Sequence, residues 1–205
     1  MPKTKTLPGF FDTGLLVLRL EPVVKLTAEQ LYEFCRLNSD IRIELNAEGD
    51  LEIMPPTGGE TGIRNGEITA QLVVWARTDG TGLAFEADTG FMLRVRTMRS
   101  PDGAWIQRSR WEALPKEQRA RFAPICPDFV IELRSPSDIP ERLQAKMREY
   151  IEAGARLGWL IDPMQGLLYI YRPGERAERL ERPASVSGDP VLPGFVLDLA
   201  RIWEP

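Results

Sequence analysis

The sequence predicts one domain of the α/β or α+β class, with a mixed sheet flanked by helices. Its 205 residues, 43% of them apolar and 27% charged, suit a single globular core over residues 1–205. Segments with strand periodicity alternate with segments of helical periodicity along the chain. Residues 129–161 follow the order strand, helix, strand, which predicts a parallel pair of strands joined by a crossover helix.

The elements follow from local patterns. Apolar residues alternate with polar ones around the turn Asn46-Ala47-Glu48-Gly49, as in a hairpin, and Thr27 can cap a helix. Strands are predicted over residues 41–45, 50–54, 83–87, 90–94, 103–106, 129–133, 157–161 and 167–171. Helices are predicted from Thr27 to near residues 37–40 and over residues 60–77, 111–121 and 141–153. Residues 1–22 are expected to be irregular, and residues 172–205 to form a peripheral hairpin and a short closing helix.

The composition excludes several classes of enzyme. The chain has no histidine, so Ser-His-Asp and Cys-His nucleophiles and histidine-ligated zinc are excluded. Its two cysteines, Cys35 and Cys126, form no CxxC pair, and both are expected to be buried thiols. No segment has the length and hydrophobicity of a membrane span or a signal peptide, so a cytoplasmic protein without a membrane partner is expected. Hydrolytic chemistry would therefore depend on carboxylates, lysine, tyrosine or a hard metal ion.

Glu132 lies inside an apolar, β-branched strand that should be buried on both faces. An ionised carboxylate there is costly unless it is paired or binds a metal. A salt bridge to Arg134 or Lys146 is as probable on general grounds as a metal site. Asp128 shares the face of Glu132 but lies about 13 Å away along the strand, so a turn-capping role is favoured for it.

Asp102 and Lys146 are the other candidates for chemistry. Asp102 opens a strand after Ser100-Pro101, where an aspartate commonly caps a turn. Lys146 lies beside Leu143 and Tyr150 at the border of a helical apolar stripe, where a lysine commonly extends its amine to solvent. Taken alone, each position favours the structural interpretation.

Several motifs together resemble the Uma-type restriction endonuclease family of the PD-(D/E)XK nuclease superfamily. The resemblance runs from about Leu26 to the end of the chain. The motifs are Ser100-Pro101-Asp102-Gly103-Ala104-Trp105, the run from Pro127 to Ser137 that contains Glu132-Leu133-Arg134-Ser135-Pro136-Ser137, Lys146-Met147-Arg148-Glu149-Tyr150, Trp159-Leu160-Ile161-Asp162-Pro163 and Leu192-Pro193-Gly194-Phe195.

The resemblance implies a restriction-endonuclease-like fold and a set of site residues. Asp102 and Glu132 would be Mg²⁺ ligands, with Mn²⁺ as a substitute, and the carbonyl of Leu133 would be a further ligand. Glu60 matches a helix acid of such sites. The superfamily's usual lysine position holds Arg134, which cannot act as a base. Lys146 would then supply the lysine from the next helix, with Tyr150 one turn further on.

The function expected from this resemblance is metal-dependent hydrolysis of phosphodiester bonds, with DNA as the expected partner and a homodimer or higher homo-oligomer as the expected assembly. A catalytically inactive nucleic-acid-binding or protein-interaction module is the alternative, and the net charge of −4 favours it. A structural oligomer with exposed C-terminal aromatic residues is a third interpretation. Arginines around Asp102 could form a DNA track, although a solvated hairpin face explains most of them better; they are Arg64, Arg94, Arg96, Arg99, Arg108 and Arg110.

Overall fold

Two main sheets and a small two-stranded one make up the fold, which a computed structural model describes over residues 14–94 and 97–205. Over these residues the strands are β1 (Leu16–Leu18), β2 (Arg42–Leu45), β3 (Leu51–Met54), β4 (Gly82–Glu86), β5 (Phe91–Arg94), β6 (Thr97–Arg99), β7 (Gly103–Gln107), β8 (Phe129–Leu133), β9 (Leu157–Asp162), β10 (Leu167–Tyr171), β11 (Glu178–Glu181), β12 (Ser185–Ser187) and β13 (Val196–Asp198). The helices are α1 (Ala28–Leu37), α2 (Gly59–Asp79), α3 (Arg108–Glu112), α4 (Lys116–Arg119), α5 (Pro140–Ala153) and α6 (Ala200–Trp203).

The larger sheet has the strand order β11-β10-β9-β8-β7-β4 among the described residues. Strands β8 and β9 pair in parallel and are joined through α5, whereas the other neighbours pair antiparallel. The sheet is therefore mixed, with helices packed on it, and the predicted mixed sheet flanked by helices is confirmed.

Strand β8 separates two apolar cores. Phe129 and Ile131 belong to a core that also contains Ile68 of α2, whereas Val130 belongs to a core with Met147 of α5. All five residues of β8 are buried, including Glu132, as the otherwise apolar pattern predicted. Glu132 shares the face of Val130, so its carboxylate points to the side where α5 lies.

The smaller sheet has the order β1-β3-β2-β6-β5, and its β2–β3 hairpin confirms the predicted one. Strands β1 and β6 were not predicted, because three residues are too few for an alternation to be recognised. The expectation of an irregular N-terminus is wrong for β1, which pairs with β3, while residues 1–13 lie outside the described part of the chain. The predicted helix over residues 111–121 is instead the two short helices α3 and α4, which Pro115 separates.

The C-terminal segment is not peripheral. Strand β11 extends the larger sheet, and the side chains of Leu192, Phe195 and Ile202 are fully or almost fully buried against the core that contains α2. Backbone carbonyls of the segment also accept hydrogen bonds from α2, including one from Arg64 Nε to Ile202 at 2.8 Å. Its short, turn-rich elements hid this burial, because each has too few residues to show a periodic apolar face.

No helix in the described residues is both long enough and apolar enough to cross a membrane.

Candidate active site

A cavity of about 620 Å³ lies where residues of both sheets meet the beginnings of α2 and α5. Charged and polar residues from six strands and helices line it, and several of them are almost fully buried. These lining residues include Arg42, Glu44, Glu52, Asn65, Arg99, Asp102, Glu132, Leu133 and Lys146. Five of the predicted site residues therefore line one cavity: Glu60, Asp102, Glu132, Leu133 and Lys146.

Asp102 is fixed in the cavity by groups from three elements. The backbone amide of Leu133 donates to Asp102 Oδ2 at 2.8 Å, and Asn65 Nδ2 of α2 donates to Oδ1 at 3.2 Å. Arg42 NH2 lies 3.9 Å from Oδ1. Burial raises the pKa of Asp102, although Arg42 and the Leu133 amide oppose that rise.

Glu132 receives two hydrogen bonds on the same oxygen. Lys146 Nζ lies 2.9 Å from Glu132 Oε1, and the Tyr150 hydroxyl donates to Oε1 at 2.9 Å. Burial raises the pKa of Glu132 to about 7; Lys146 lowers it in part, and the negative charges of Asp102 and Glu44 raise it further. The salt bridge expected at Glu132 thus forms with Lys146, whereas Arg134 pairs with Asp162 at 2.7 Å.

Helix α5 places Lys146 and Tyr150 one turn apart on its buried face. Lys146 Nζ lies 2.9 Å from both Glu44 Oε1 and Glu132 Oε1. Burial alone would lower the pKa of Lys146, but the two carboxylates raise it overall, so the ammonium stays charged. Lys146 is 9% exposed, so the interpretation as a solvent-directed lysine is wrong.

A second ionic cluster adjoins these residues, and the sequence did not predict it. Its members are Glu44, Glu52, Arg99 and Glu149. Glu44 is 1% exposed and also accepts from the Ser100 amide at 3.0 Å. Arg99 binds Glu44 at 3.0 Å, both oxygens of Glu149 at 2.9 Å, and Glu52. Burial would raise the pKa of Glu44, but Lys146, Arg99 and Arg42 hold it at about 2.

A signal for this cluster was present in the predicted hairpin. Glu44 and Glu52 lie directly opposite each other across β2 and β3. Like charges in that position destabilise a hairpin unless a cation lies between them. The alternation of β2 was instead interpreted as one apolar and one polar face, whereas Ile43, Glu44 and Leu45 are all buried.

Other predicted residues lie at the edge of the site or outside it. Glu60 lines the cavity, but its side chain is 80% exposed and bonds to Arg64 at 3.3 Å. Asp128 has a structural role as predicted, but it does not cap its own turn: it accepts from the distant Gln107 amide at 2.9 Å and pairs with Arg110 at 2.7 Å.

The proposed arginine track is not a continuous free surface. Arg99 is buried between carboxylates, so neither contact with DNA nor a place on a solvated hairpin face holds for it. The other described members bind the protein itself: Arg64 to Ile202, Arg94 to Glu152, Arg108 to Gly80 and Arg110 to Cys126 and Asp128. Arg96 lies outside the described residues.

The residues that could hold a metal are Asp102 and Glu132, together with Asn65. Within residues 14–94 and 97–205, no three His, Cys, Asp or Glu side chains meet as a metal site. Asn65 Oδ1, however, is a buried acceptor with no hydrogen bond, on the same amide whose nitrogen bonds Asp102. Two carboxylates with raised pKa beside an unpaired amide oxygen form an oxygen donor set that suits a hard divalent cation.

Comparison with known proteins identifies the family. Residues 28–200 match the family model of Uma2, whose description is "Putative restriction endonuclease". The chain belongs to the Uma2 family. A solved structure of similar fold, described as a putative nuclease belonging to DUF820 from Anabaena variabilis, superposes with a TM-score of 0.70. The two chains are 19% identical over 87% of this chain and 97% of that one. No curated protein matches the chain.

Membership of Uma2 confirms the resemblance drawn from the motifs, and the similarity in structure confirms the restriction-endonuclease-like fold. The matched region includes β7, β8 and α5, the elements that bring Asp102, Glu132 and Lys146 into one cavity.

Proposed function

We propose that this Uma2 protein is a metal-dependent endonuclease that hydrolyses phosphodiester bonds, with DNA as its substrate. The observation that carries the proposal is the buried group formed by Asp102, Glu132 and Lys146 in one open cavity. Family membership supports the same reaction class. The lack of histidine is consistent with it, because two carboxylates and a lysine suffice for hydrolysis assisted by a metal.

Asp102, Glu132 and Asn65 would hold Mg²⁺, or Mn²⁺ in its place, with the Leu133 carbonyl as a further proposed ligand. The bound ion would lower the pKa of a water molecule and neutralise negative charge on the phosphate. The chain's own contribution is to keep the carboxylates oriented. The Leu133 amide and Asn65 hold Asp102, while Tyr150 and Lys146 hold Glu132.

Lys146 would stabilise the negative charge that develops on the phosphate oxygens. Its ammonium is held at the cavity wall by two carboxylates, which preserve its charge. Glu44 is therefore a positioning residue, since it holds Lys146 together with Glu132. Glu60, which the resemblance places in the site, is proposed to act from the cavity rim and not from its floor.

The first test is calorimetric titration of the full chain with Mg²⁺ and Mn²⁺, together with a plasmid-nicking assay. Asp102→Asn and Glu132→Gln should abolish both metal binding and nicking. Asp162→Asn is the matched control, since Asp162 is equally buried but pairs with Arg134 outside this cavity. If the wild-type chain binds neither ion, or if both variants nick plasmid like wild type, the proposal is wrong.

A catalytically inactive binding module is the second candidate. The net charge of −4 and the internal pairing of the described arginines favour it. Metal binding without cleavage of single-stranded or duplex DNA or of RNA would support this candidate. A homodimer is proposed for the active form, because a nuclease that cuts two strands commonly acts as a symmetric pair, and sedimentation velocity tests it.

A further inference from the structure

The first turn of α2 opens onto the same cavity as the carboxylates. Gly58, Gly59, Glu60 and Thr61 all line it. The first helical hydrogen bond runs from the Gly62 amide to the Gly58 carbonyl at 2.9 Å, and Gly58 provides no side-chain cap. The amides of residues 59–61 therefore have no acceptor within the described chain. They carry the partial positive charge of a 21-residue helix.

No side chain covers these amides. A Cβ added at Gly58, Gly59 or Gly62 would meet no atom within 4 Å, so open space lies in front of the turn. Glycines in this position allow a ligand to approach the backbone closely. Such a turn is suited to an anion, because the N–H groups and the helix dipole both favour negative charge.

Thr61 gives independent evidence for a ligand. Its side chain is more than nine-tenths buried and makes no hydrogen bond among the described residues. Its hydroxyl is nevertheless not one of the buried atoms cut off from solvent, and the residue lines the cavity. The hydroxyl thus reaches the cavity from an otherwise buried residue, has no partner among the described residues and can donate to a ligand oxygen.

Among the described residues, the cavity also provides one unpaired cation, although acidic side chains such as Asp138 line it too. Arg142, exposed near the start of α5, lines the cavity and forms no ion pair in the described structure. The Glu60 carboxylate is 80% exposed and is paired with Arg64. Thr61 also lies one helical turn, about 6 Å along the axis, before Asn65, which bonds Asp102. An anion on this turn would therefore lie beside the carboxylate site.

We propose that the first turn of α2 binds a phosphate of the substrate backbone next to the phosphate that is cut, through the amides of residues 59–61 and the Thr61 hydroxyl. The proposal rests on the proposed nuclease function and names how the site holds its substrate. It also explains how a chain with net negative charge could bind a polyanion, because backbone amides attract phosphate without the need for basic side chains.

Proline at Gly59 tests the proposal by removing one amide hydrogen. The first helical position accepts proline, and Gly58 has φ −70° and ψ 159°, which suits a residue that precedes proline. Gly59→Ala adds a side chain but keeps the amide, so comparison of the two variants isolates the N–H. Thr61→Val removes the hydroxyl with little change of shape and serves as a second, independent variant.

Binding is measured by amide NMR of the full chain with EDTA present, using a 12-base-pair DNA duplex in one titration and inorganic phosphate in another. With the duplex, saturable changes in amide chemical shift are expected at residues 59–61. Gly59→Pro should bind the duplex roughly 10-fold more weakly than Gly59→Ala, and Thr61→Val should weaken it similarly, as expected for loss of a hydrogen bond to a charged group.

Equal affinities for Gly59→Pro and Gly59→Ala, or a wild type without saturable shifts at these amides, would overturn the proposal. Shifts with inorganic phosphate but not with the duplex would overturn it too, because the turn would then serve a free phosphate. A plasmid-nicking assay distinguishes failure of the phosphate subsite from failure of the proposed nuclease function. Normal nicking by Gly59→Pro refutes the phosphate subsite alone, whereas duplex binding at these amides without any nicking refutes the nuclease alone.

Discussion

Glu44 and Glu132 share one lysine, yet they have opposite electrostatic environments. Both carboxylates are almost fully buried, and both lie 2.9 Å from Lys146 Nζ. Burial would raise both pKa values, but added cations hold the pKa of Glu44 at about 2, while that of Glu132 rises to about 7. The difference arises because Arg99 also binds Glu44, whereas Glu132 faces the carboxylate of Asp102.

This contrast separates a structural ion cluster from a site that lacks positive charge. Around Glu44, Arg99 and Lys146 compensate the negative charge, so the cluster holds the smaller sheet against α5. Around Glu132 and Asp102, the positive charge is too small for both carboxylates to ionise easily. A divalent cation would supply the missing charge, which is why the second group, and not the first, is the proposed metal site.

The largest effect is expected from removal of the shared lysine. Lys146→Met should destabilise the chain by about 3–5 kcal/mol at pH 8, because it leaves buried carboxylates without their cation. The loss should be smaller at pH 5, where Glu132 holds a proton. Urea unfolding at both pH values measures it. Arg142→Met on the same helix is the control and should change stability by less than about 0.5 kcal/mol; equal losses would contradict the prediction.

A divalent cation should stabilise the folded chain by binding at Glu132 and Asp102, and not at Glu44. At pH 8 and 100 times its dissociation constant, Mn²⁺ should add about 2.7 kcal/mol to the free energy of unfolding. The gain should decline below pH 7, because protons then compete for Glu132. Thermal unfolding with Mn²⁺ or EDTA measures it for wild type and Glu132→Gln. Equal stabilisation of both proteins would show that the ion binds elsewhere.

Neutralising each glutamate should shift stability in opposite directions. The raised pKa of Glu132 means that its contribution to stability is full below about pH 4.5 and is lost as pH rises through 7. Glu132→Gln should therefore gain on the order of 1–3 kcal/mol relative to wild type between pH 5 and pH 8 without metal. Urea unfolding across this range measures the gain, and an unchanged pH slope would exclude it.

The contribution of Glu44 to stability has the opposite pH dependence. Its lowered pKa contributes stability that is full above about pH 4.5 and is lost as pH falls toward 2. Glu44→Gln should therefore be less stable than wild type at pH 8. In the nicking assay it should also lower activity by roughly 10–100-fold, the range found for residues that orient a site through a neighbour. If Glu44→Gln has the stability and the activity of wild type, Glu44 is not a positioning residue.

The smallest change in stability is expected from loss of the Tyr150 hydroxyl. Tyr150→Phe removes one hydrogen bond to Glu132 and should cost about 1 kcal/mol. Tyr171→Phe is the control, since Tyr171 is also a buried residue but its hydroxyl bonds no described residue and reaches solvent. Urea unfolding of both variants at pH 8 compares them. Identical losses would mean that the Tyr150 hydroxyl does not support Glu132.

The sequence predicted what depends on local patterns. The bounds of β8 and β10 follow from unbroken apolar runs, and the need of Glu132 for a partner follows from its place in such a run. Residues whose environment is made by distant elements were harder to predict. Glu44 is buried by α5, about 100 positions away, and Leu192 becomes core only because α2 lies beneath it. Neither neighbour can be read from the pattern around the residue itself.

The packing of the C-terminal segment on α2 affects when the site is completed during synthesis. Helix α2 carries Asn65, but one side of it is covered by residues that include Phe195 and Ile202. A ribosome adds those residues more than 100 positions after α2, so the growing chain lacks this support until they emerge. It follows that the cavity reaches its final form late, after most of the chain has been synthesised.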